Sequence, residues 1–243
     1  MPELIRLCTG FDQREAVAFH TFYQSVMENS SSPVQFMPLA INTLKDYQET
    51  HSDGSNAFTY SRFLTPYLHN FEGWVIFADG DMVCLADIAE LWNLRDPSKA
   101  VQVVQHDYDT KQTVKYFDQP NVNYPRKNWS SVILWNCSHP AHRVLTPNFV
   151  SSSSGAFLHR FSWLTDDQIG ALPLEWNWLA IEYEPNPNAK LVHYTLGTPC
   201  FKKYAQTSMS EHWWTTYQHL RQGLEVEDVA PPAQPPAAQK AKP

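Results

Sequence analysis

The sequence has few cysteines, no excess of positive charge and no long apolar run, and each absence argues against a class of protein. Its four cysteines lie far apart and form no CxxC pair, which disfavours a zinc ribbon or a redox motif. The formal net charge of -7 disfavours a nucleic-acid binder, because such a protein needs a basic face to neutralise phosphates. A globular protein with free thiols is the simplest remaining interpretation.

The sequence also lacks a secretion signal and a membrane-spanning segment. Residues 1–6 contain no charged region followed by a long apolar run, which a signal peptide requires. No later stretch reaches the ~18 uninterrupted apolar residues of a transmembrane helix. We therefore expect a cytoplasmic protein without a transmembrane segment, for which peripheral contact with a membrane stays open.

What the chain does contain is typical of a well-packed globular domain. Of its 243 residues, 43% are hydrophobic and 14% are aromatic, which suits one domain of α/β size with a large core. The residues from Val229 onward are rich in Pro and Ala. We predict a single domain over residues 1–228 and a disordered tail over residues 229–243.

Strands alternate with helices along the chain. A buried strand is predicted over residues 4–8, and Asp12 then caps a helix over residues 13–28, with Glu15 completing a capping-box pattern. Further strands are predicted at 34–39, 74–78, 100–105, 131–135 and 190–194, and helical segments at 60–69, 87–92 and 141–150. This alternation predicts an α/β fold with a mostly parallel sheet flanked by helices.

The most informative motif is Asp79-Gly80-Asp81, which directly follows the apolar run of residues 74–78. Asp and Gly are common turn residues, so one interpretation is a simple turn. The other is a metal site, because two carboxylates one residue apart at a strand end can reach the same hard cation, which prefers oxygen ligands. The motif alone leaves both interpretations open.

The predicted sheet brings several polar segments to one edge. Ligands of an open α/β sheet bind outside the carboxyl ends of its strands. Thr9-Gly10, Asp79-Gly80-Asp81 and His193 all lie at the ends of predicted strands, so we expect them to share one crevice. Residues 107–128 are polar and rich in Tyr, which is typical of a long functional loop.

Five short blocks stand in order along the chain: Thr9-Gly10-Phe11-Asp12-Gln13-Arg14-Glu15-Ala16, Tyr60-Ser61-Arg62-Phe63, Phe77-Ala78-Asp79-Gly80-Asp81, Lys127-Asn128-Trp129-Ser130-Ser131 and His193-Tyr194-Thr195. With these blocks the chain resembles the glycosyltransferases of the GT-A fold, especially the glycogenin-like retaining enzymes and related bacterial and phage glycosyltransferases. The resemblance covers nearly everything before the tail, and it implies a Rossmann-like GT-A sheet.

The resemblance implies that Asp79 and Asp81 bind Mn²⁺ or Mg²⁺, with His193 completing the metal shell, and that the metal bridges the diphosphate of a nucleotide sugar. Taken alone, His193 is more often a hydrogen-bonded core histidine. Arg62 either neutralises phosphate or pairs with Asp79. The residues implied in binding the nucleotide sugar are Thr9, Gly10, Phe11, Arg62, Asp79, Gly80, Ser130 and Ser131.

The same resemblance also implies which residues lie beside the reacting sugar. Asp167-Gln168 resembles the Asp-Gln pair beside the anomeric carbon in glycogenin-like enzymes, so Asp167, Gln168 and the neighbouring Asp166 are the implied catalytic residues. Asp167 would serve as a nucleophile, as a stabiliser of an oxocarbenium-like centre or as a hydroxyl anchor. The alternative is that Asp166 only caps a helical turn.

The chain departs from the glycogenin-like pattern at two places. Trp129-Ser130-Ser131 stands where those enzymes usually carry an Asn-Ala-Gly or Asn-Ser-Gly step. Their late histidine is also followed by a glycine and a lysine that touches phosphate, whereas here the lysines are displaced to Lys202 and Lys203. The donor sugar and the stereochemical outcome therefore rest on the resemblance less directly than the fold does.

The sequence predicts a metal-dependent glycosyltransferase that moves a hexose from a nucleoside-diphosphate sugar, UDP by preference, to an unknown glycan, lipid or protein acceptor with retention. A phosphatase of the haloacid-dehalogenase type is the enzyme alternative, because its nucleophile strand also ends in Asp-x-Asp and Asp79 would then be the nucleophile. A non-catalytic sugar-binding module is the third hypothesis, because tryptophan faces can stack on sugar rings. Its candidate residues are Trp129, Trp163, Trp176 and Trp178.

Overall fold

The computed structural model of the protein describes residues 3–115 and 118–224, so the predicted tail over residues 229–243 lies outside the described residues. The strands are β1 Ile5–Phe11, β2 Val34–Ala40, β3 Trp74–Ala78, β4 Met82–Cys84, β5 Val101–Val103, β6 Val132–Asn136, β7 Ile169–Ala171, β8 Trp178–Leu179 and β9 Leu191–His193. Six of them form a central sheet in the order β2-β1-β3-β6-β5-β7, and the other three form a small sheet in the order β4-β9-β8.

The central sheet is mostly parallel, as predicted. β1 runs parallel to β2 and β3, and β5 runs parallel to β7. β6 is antiparallel to both of its neighbours, β3 and β5, and Ala78 of β3 pairs with Val132 of β6. This antiparallel strand matters for the site, because it brings the start of β6 to the end of β3.

Both faces of the central sheet are buried, which explains why β3 reads as a continuous apolar run. Val75 and Phe77 point into one hydrophobic cluster, whereas Ile76 and Ala78 point into the cluster on the other face. All four side chains are at most 1% exposed. Because successive side chains of a strand point to opposite faces, a strand that is covered on both sides has no polar alternation.

The helices are α1 Ala16–Asn29, α2 Thr65–Leu68, α3 Ile88–Trp92, α4 Pro147–Ser152, α5 Gly155–His159 and α6 Ser210–Leu224. Pro147 is the first residue of α4, where its missing N–H costs nothing, and it divides the helix predicted over residues 141–150. α6 occupies a stretch for which the sequence analysis predicted no element, and it packs against α1. None of the helices in the described part of the chain has the length and apolar character needed to cross a membrane.

The capping box predicted at the start of α1 is wrong in one of its two members. The Asp12 carboxylate does cap the helical turn Gln13–Glu15 that leads into α1, since it accepts a hydrogen bond from the backbone N–H of Arg14 at 2.9 Å. Glu15 does not reach back to Asp12: both of its carboxylate oxygens are buried without a hydrogen-bond partner. Burial and the neighbouring Asp81 and Asp12 raise the pKa of Glu15 to about 9. Tertiary surroundings have therefore overridden the local pattern at this residue.

Candidate active site

Three side chains meet where the two sheets adjoin. Asp79 follows β3, and its backbone N–H donates to the carbonyl of Ser131 at 3.0 Å, which extends the pairing with β6 by one residue. Asp81 immediately precedes β4, which is antiparallel to β9 with Met82 opposite His193. The strand ends thus bring Asp79, Asp81 and His193 together, as the sequence predicted.

The geometry of these three residues would allow them to hold one metal ion. One ligand atom from each lies within 4.8 Å of the others. His193 Nε2 is 3.3 Å from Asp81 Oδ1 and 3.9 Å from Asp79 Oδ2. All three residues are buried. Two carboxylates and one imidazole form a donor set that suits a divalent cation such as Mn²⁺ or Mg²⁺.

A hydrogen-bond chain fixes which nitrogen of His193 faces the carboxylates. Asn177 Nδ2 donates to the carbonyl of Asn128 at 3.1 Å and to Ser131 Oγ at 3.0 Å, so Asn177 Oδ1 is an acceptor. It accepts from His193 Nδ1 at 2.9 Å. In the neutral imidazole the Nε2 lone pair therefore points towards the two carboxylates. Asp81 Oδ1 is also buried without a hydrogen bond, so a cation bound between these residues would satisfy both atoms.

Arg62 holds the first aspartate in place. Its guanidinium Nη1 lies 2.7 Å from Asp79 Oδ1 and donates to the carbonyl of Ser130 at 2.8 Å, while Nε donates to the carbonyl of Thr59 at 3.0 Å. Burial raises the pKa of Asp79 to about 6, and the positive charge of Arg62 opposes this rise. Of the two roles predicted for Arg62, the structure shows the pairing with Asp79.

Gly80 is required by a close approach of two backbones. A Cβ atom at this position would lie 2.5 Å from the carbonyl oxygen of Gly10, at the end of β1. No real side chain tolerates that distance without movement of a strand. Gly80 therefore lets the turn formed by residues 79–81 pack directly on β1.

Asp79, Asp81 and His193 line a cavity of about 570 Å³. Ser130 and Ser131, which were predicted to bind the nucleotide sugar, line it together with Arg62. Although the whole chain has a net charge of -7, the lining carries more positive than negative side chains. The cations are Arg62, Lys115, Lys127 and Arg160, and the carboxylates are Asp53, Asp79 and Asp81. Such a cavity suits a ligand with several negative charges.

Other groups in the cavity were missed by the sequence analysis. Ser130 Oγ lies 2.7 Å from His159 Nδ1, and burial lowers the pKa of His159 to about 3, so this imidazole is neutral at physiological pH. The Tyr60 hydroxyl donates to Asp53 Oδ1 at 2.5 Å. No local pattern marks Asp53 or His159, because these residues reach the cavity only through the packing of distant segments.

Thr9, Gly10 and Phe11 are the last residues of β1, beyond the strand predicted over residues 4–8, and they do not line the cavity. Thr9 is fully buried in β1. A Cβ atom at Gly10 would lie 2.2 Å from the ring of Phe58, which therefore covers that backbone. Phe11 packs edge-on against Phe19. This arrangement gives no support to the nucleoside contacts predicted for Thr9, Gly10 and Phe11, although Gly10 packs against Gly80.

The predicted catalytic segment also lies outside the cavity lining. Asp166 is exposed and pairs with Arg126 at 2.5 Å, and Asp167 is exposed as well. Gln168 Oε1 accepts the backbone N–H of Thr165 at 3.0 Å, as the second half of a capping box. Thr165, and not Asp166, is thus the cap of this turn. The role predicted for Asp166, Asp167 and Gln168 at the reacting sugar gains no support from this geometry.

None of the four tryptophans considered for sugar stacking lines the cavity. Trp176 is only 1% exposed and belongs to the core. Lys202 and Lys203 are exposed and also lie outside the lining, and Lys203 Nζ sits 5.4 Å from the ring centre of Tyr204. Among the described residues, the lining of the cavity therefore contains more charged, hydroxyl and amide side chains than aromatic ones.

Sequence comparison gives a family and a relative. Residues 12–139, more than half of the chain, match the family described as glycosyl transferase family 8. Protein CDI of Arabidopsis thaliana is 41% identical over 217 residues, which are 86% of this chain and 84% of that protein.

Solved structures of glycosyltransferases share the fold. The apo structure of the bifunctional glycosyltransferase WbbM aligns with a TM-score of 0.64 at 15% identity, over 91% of this chain and 52% of WbbM. The apo form of the glycosyltransferase GlyE from Streptococcus pneumoniae TIGR4 gives 0.57 at 15% identity, over 93% of this chain and 64% of GlyE. The galactosyltransferase LgtC, in complex with donor and acceptor sugar analogs, gives 0.51 at 11% identity, over 94% of this chain and 98% of LgtC. The chain thus spans about half the length of WbbM and less than two thirds of GlyE, and the predicted GT-A fold is confirmed.

Proposed function

We propose, from the premise that the chain belongs to glycosyl transferase family 8 and is therefore a glycosyltransferase, that it moves a hexose from a nucleoside-diphosphate sugar to a glycan, lipid or protein acceptor. UDP is the first nucleotide to test, Mn²⁺ or Mg²⁺ is the proposed cofactor, and retention is the proposed outcome. Nucleotide, metal and stereochemistry follow from the resemblance to the glycogenin-like retaining enzymes.

The observation that carries the proposal is the buried cluster of Asp79, Asp81 and His193 at the wall of a cavity whose lining has more cations than carboxylates. Asp81 Oδ1 and His193 Nε2 both present lone pairs that no protein donor satisfies. These residues would hold the divalent cation. When bound, it would neutralise the charge that grows on the departing diphosphate.

In the transfer, the bond between the anomeric carbon and the terminal phosphate oxygen breaks, and its electron pair stays on the diphosphate. The new bond joins that carbon to the acceptor oxygen, whose hydroxyl proton is released. The contribution of the chain is the placement of charge and hydroxyl groups around this event. Arg62 keeps Asp79 oriented, and Ser130 and Ser131 present hydroxyls to the cavity.

The two rival hypotheses lose their support. Membership of a glycosyltransferase family argues against the phosphatase, and so does the topology, because Asp79 follows the third strand of the chain and is paired with Arg62. A phosphatase of that type carries its nucleophile at the end of the first core strand. The sugar-binding module was motivated by tryptophan faces, and none of those tryptophans lines the cavity.

A thermal-shift screen of UDP-, GDP- and CDP-sugars, each with and without Mn²⁺, tests the proposal. A ligand that binds the folded state raises the midpoint of unfolding, by an amount that grows with its concentration over its Kd. We expect one nucleotide to give a shift that requires the metal and to be hydrolysed slowly without acceptor, with release of free sugar. The absence of any metal-dependent shift across the panel would overturn the proposal.

A further inference from the structure

We propose that Lys115 binds the diphosphate of the donor, and that it replaces in this chain the lysine that related enzymes place after their late histidine. The inference rests on the proposed function. The two lysines of that later segment, Lys202 and Lys203, are exposed and do not line the cavity. A diphosphate held beside Asp79 and Asp81 would therefore lack a cationic partner from that side.

Lys115 is delivered to the cavity by a short antiparallel ladder in the loop before β6. Its backbone N–H donates to the carbonyl of Gln119 at 3.0 Å, and the N–H of Asn121 donates to the carbonyl of Thr113 at 2.8 Å. Between these two bonds, Val114 pairs with Pro120 in an isolated bridge. Side chains alternate along such a ladder, so Val114 faces solvent with 40% exposure, whereas Lys115 turns towards the cavity, which it lines.

Hydrogen bonds between residues of the same loop hold the base of this ladder. Asn121 is 7% exposed, and its Nδ2 donates to the carbonyl of Gln112 at 2.7 Å. Lys127 Nζ donates to Asn121 Oδ1 at 2.6 Å and to the carbonyl of Val122 at 2.7 Å. Lys127 is thus engaged in holding the loop together. The position of Lys115 is accordingly set by bonds that do not involve its own ammonium group.

Lys115 lines the same cavity as Asp79 and Asp81. Burial lowers the pKa of Lys115, and the carboxylates of Asp81 and Asp79 act against this shift. Within the described part of the chain, no carboxylate forms an ion pair with its ammonium group. Arg62, in contrast, is already paired with Asp79. Lys115 is therefore a cation of the cavity that remains available to an incoming anion.

A second donor stands close to the cluster and strengthens the assignment. Thr195, two residues beyond His193, lines the cavity, and its Oγ1 is buried without a hydrogen-bond partner. If this hydroxyl donated to a phosphate oxygen, its hydrogen-bonding capacity would be satisfied. An ammonium group from one wall and a hydroxyl from another match an anion with several oxygens, because each charge-assisted hydrogen bond is stronger than a neutral one.

The test measures binding without turnover. The affinities of UDP, GDP and CDP with Mn²⁺ are measured by calorimetry for the wild type, and the best ligand is then used with Lys115→Ala and Lys115→Arg. We expect Lys115→Ala to weaken binding by ~10-fold or more, as loss of a charge-assisted contact predicts, and Lys115→Arg to retain most of the affinity. The loss should be smaller for the corresponding nucleoside monophosphate.

Matched controls come from the same chain. Lys111→Ala removes an exposed lysine of the same loop, whose Nζ lies 3.6 Å from Glu184 Oε1, and it should leave binding unchanged. The double variant Lys202→Ala/Lys203→Ala should also bind as the wild type does. If Lys115→Ala binds as tightly as the wild type, or if the loss appears in the double variant instead, the assignment of Lys115 is wrong while the proposed function stands. If the wild type binds none of the three nucleotides with Mn²⁺, the proposed function itself fails.

Discussion

His193 donates its Nδ1 proton to Asn177 Oδ1 at 2.9 Å, and this contact turns the Nε2 lone pair towards Asp79 and Asp81. With a neutral imidazole, the cluster therefore brings together three groups that accept and none that donates. Arg62 relieves the charge of one aspartate only. The apo site is thus poised electrostatically for a cation, and it owes part of this property to a residue that would not touch the metal.

Asn177→Ala should weaken Mn²⁺ binding by roughly 10- to 100-fold, because a metal-bound histidine that loses its outer hydrogen bond also loses its fixed tautomer and orientation. Calorimetric titration of Mn²⁺ measures the effect. Asn188→Ala, which alters an exposed asparagine, is the matched control. Equal Mn²⁺ affinity in Asn177→Ala and the wild type would show that Asn177 does not position His193.

Asp79→Asn and Asp81→Asn should both abolish Mn²⁺-dependent turnover but should change the metal-free stability in opposite directions. Asp79→Asn leaves the buried Arg62 without its partner, at a cost on the order of 3 kcal/mol. Asp81→Asn removes one of the crowded carboxylates and should raise the free energy of unfolding. Chemical denaturation in EDTA measures both, and stabilities that shift in the same direction would contradict this description of the cluster.

Glu15→Gln should make the metal-free protein less sensitive to pH. The pKa of Glu15 is raised from its ordinary 4.5 to about 9, so folding takes up a proton between these two values. The stability that this group contributes is therefore greatest below pH ~4.5 and falls as the pH rises towards ~9, by at most about 1.4 kcal/mol per pH unit. Denaturation in EDTA between pH 5.5 and 8.5 should show a steeper decline for the wild type than for Glu15→Gln. The exposed Glu72→Gln is the control, and parallel curves for wild type and Glu15→Gln would refute the assignment.

Asp167→Asn should leave hydrolysis of the donor within about threefold of the wild type, because a contact that is not made in the transition state contributes nothing to its stabilisation. Asp167 is exposed, its backbone carbonyl accepts from Lys99 Nζ at 2.8 Å, and a side-chain hydrogen bond with Thr165 lowers the pKa of its carboxyl. A loss of 100-fold or more would instead support the sequence-based prediction that this carboxylate stands beside the reacting sugar. Initial rates with saturating donor and Mn²⁺ distinguish the two.

The meeting of Asp79, Asp81 and His193 could be predicted from the sequence, because Asp79 and Asp81 come directly after the buried strand β3 and its turn, and His193 stands at the end of the buried strand β9. Glu15 shows where such reasoning stops: its spacing from Asp12 fits a capping box, yet its carboxylate lies unpaired among other carboxylates. Local spacing carries no information about groups that arrive from distant segments.

Lys115 and His159 were inaccessible to the sequence analysis for the same reason. Each lies in a segment without strong periodicity, and each reaches the cavity only because a loop or a short helix packs against residues far away in the chain. The mostly parallel sheet was predicted from the alternation of strands and helices. The antiparallel direction of β6 was not, since direction depends on how the chain crosses the sheet and not on the composition of the strand.

The pairing of β4 with β9 brings Asp81 beside His193, although most of the chain's second half lies between them. Contacts between such distant segments form slowly, because loop closure loses entropy before the contact is gained. During synthesis, Asp79 and Asp81 leave the ribosome long before His193 does. On the proposed function, a nascent chain would therefore carry an incomplete ligand set, and full affinity for a cation would arise only when β9 has docked.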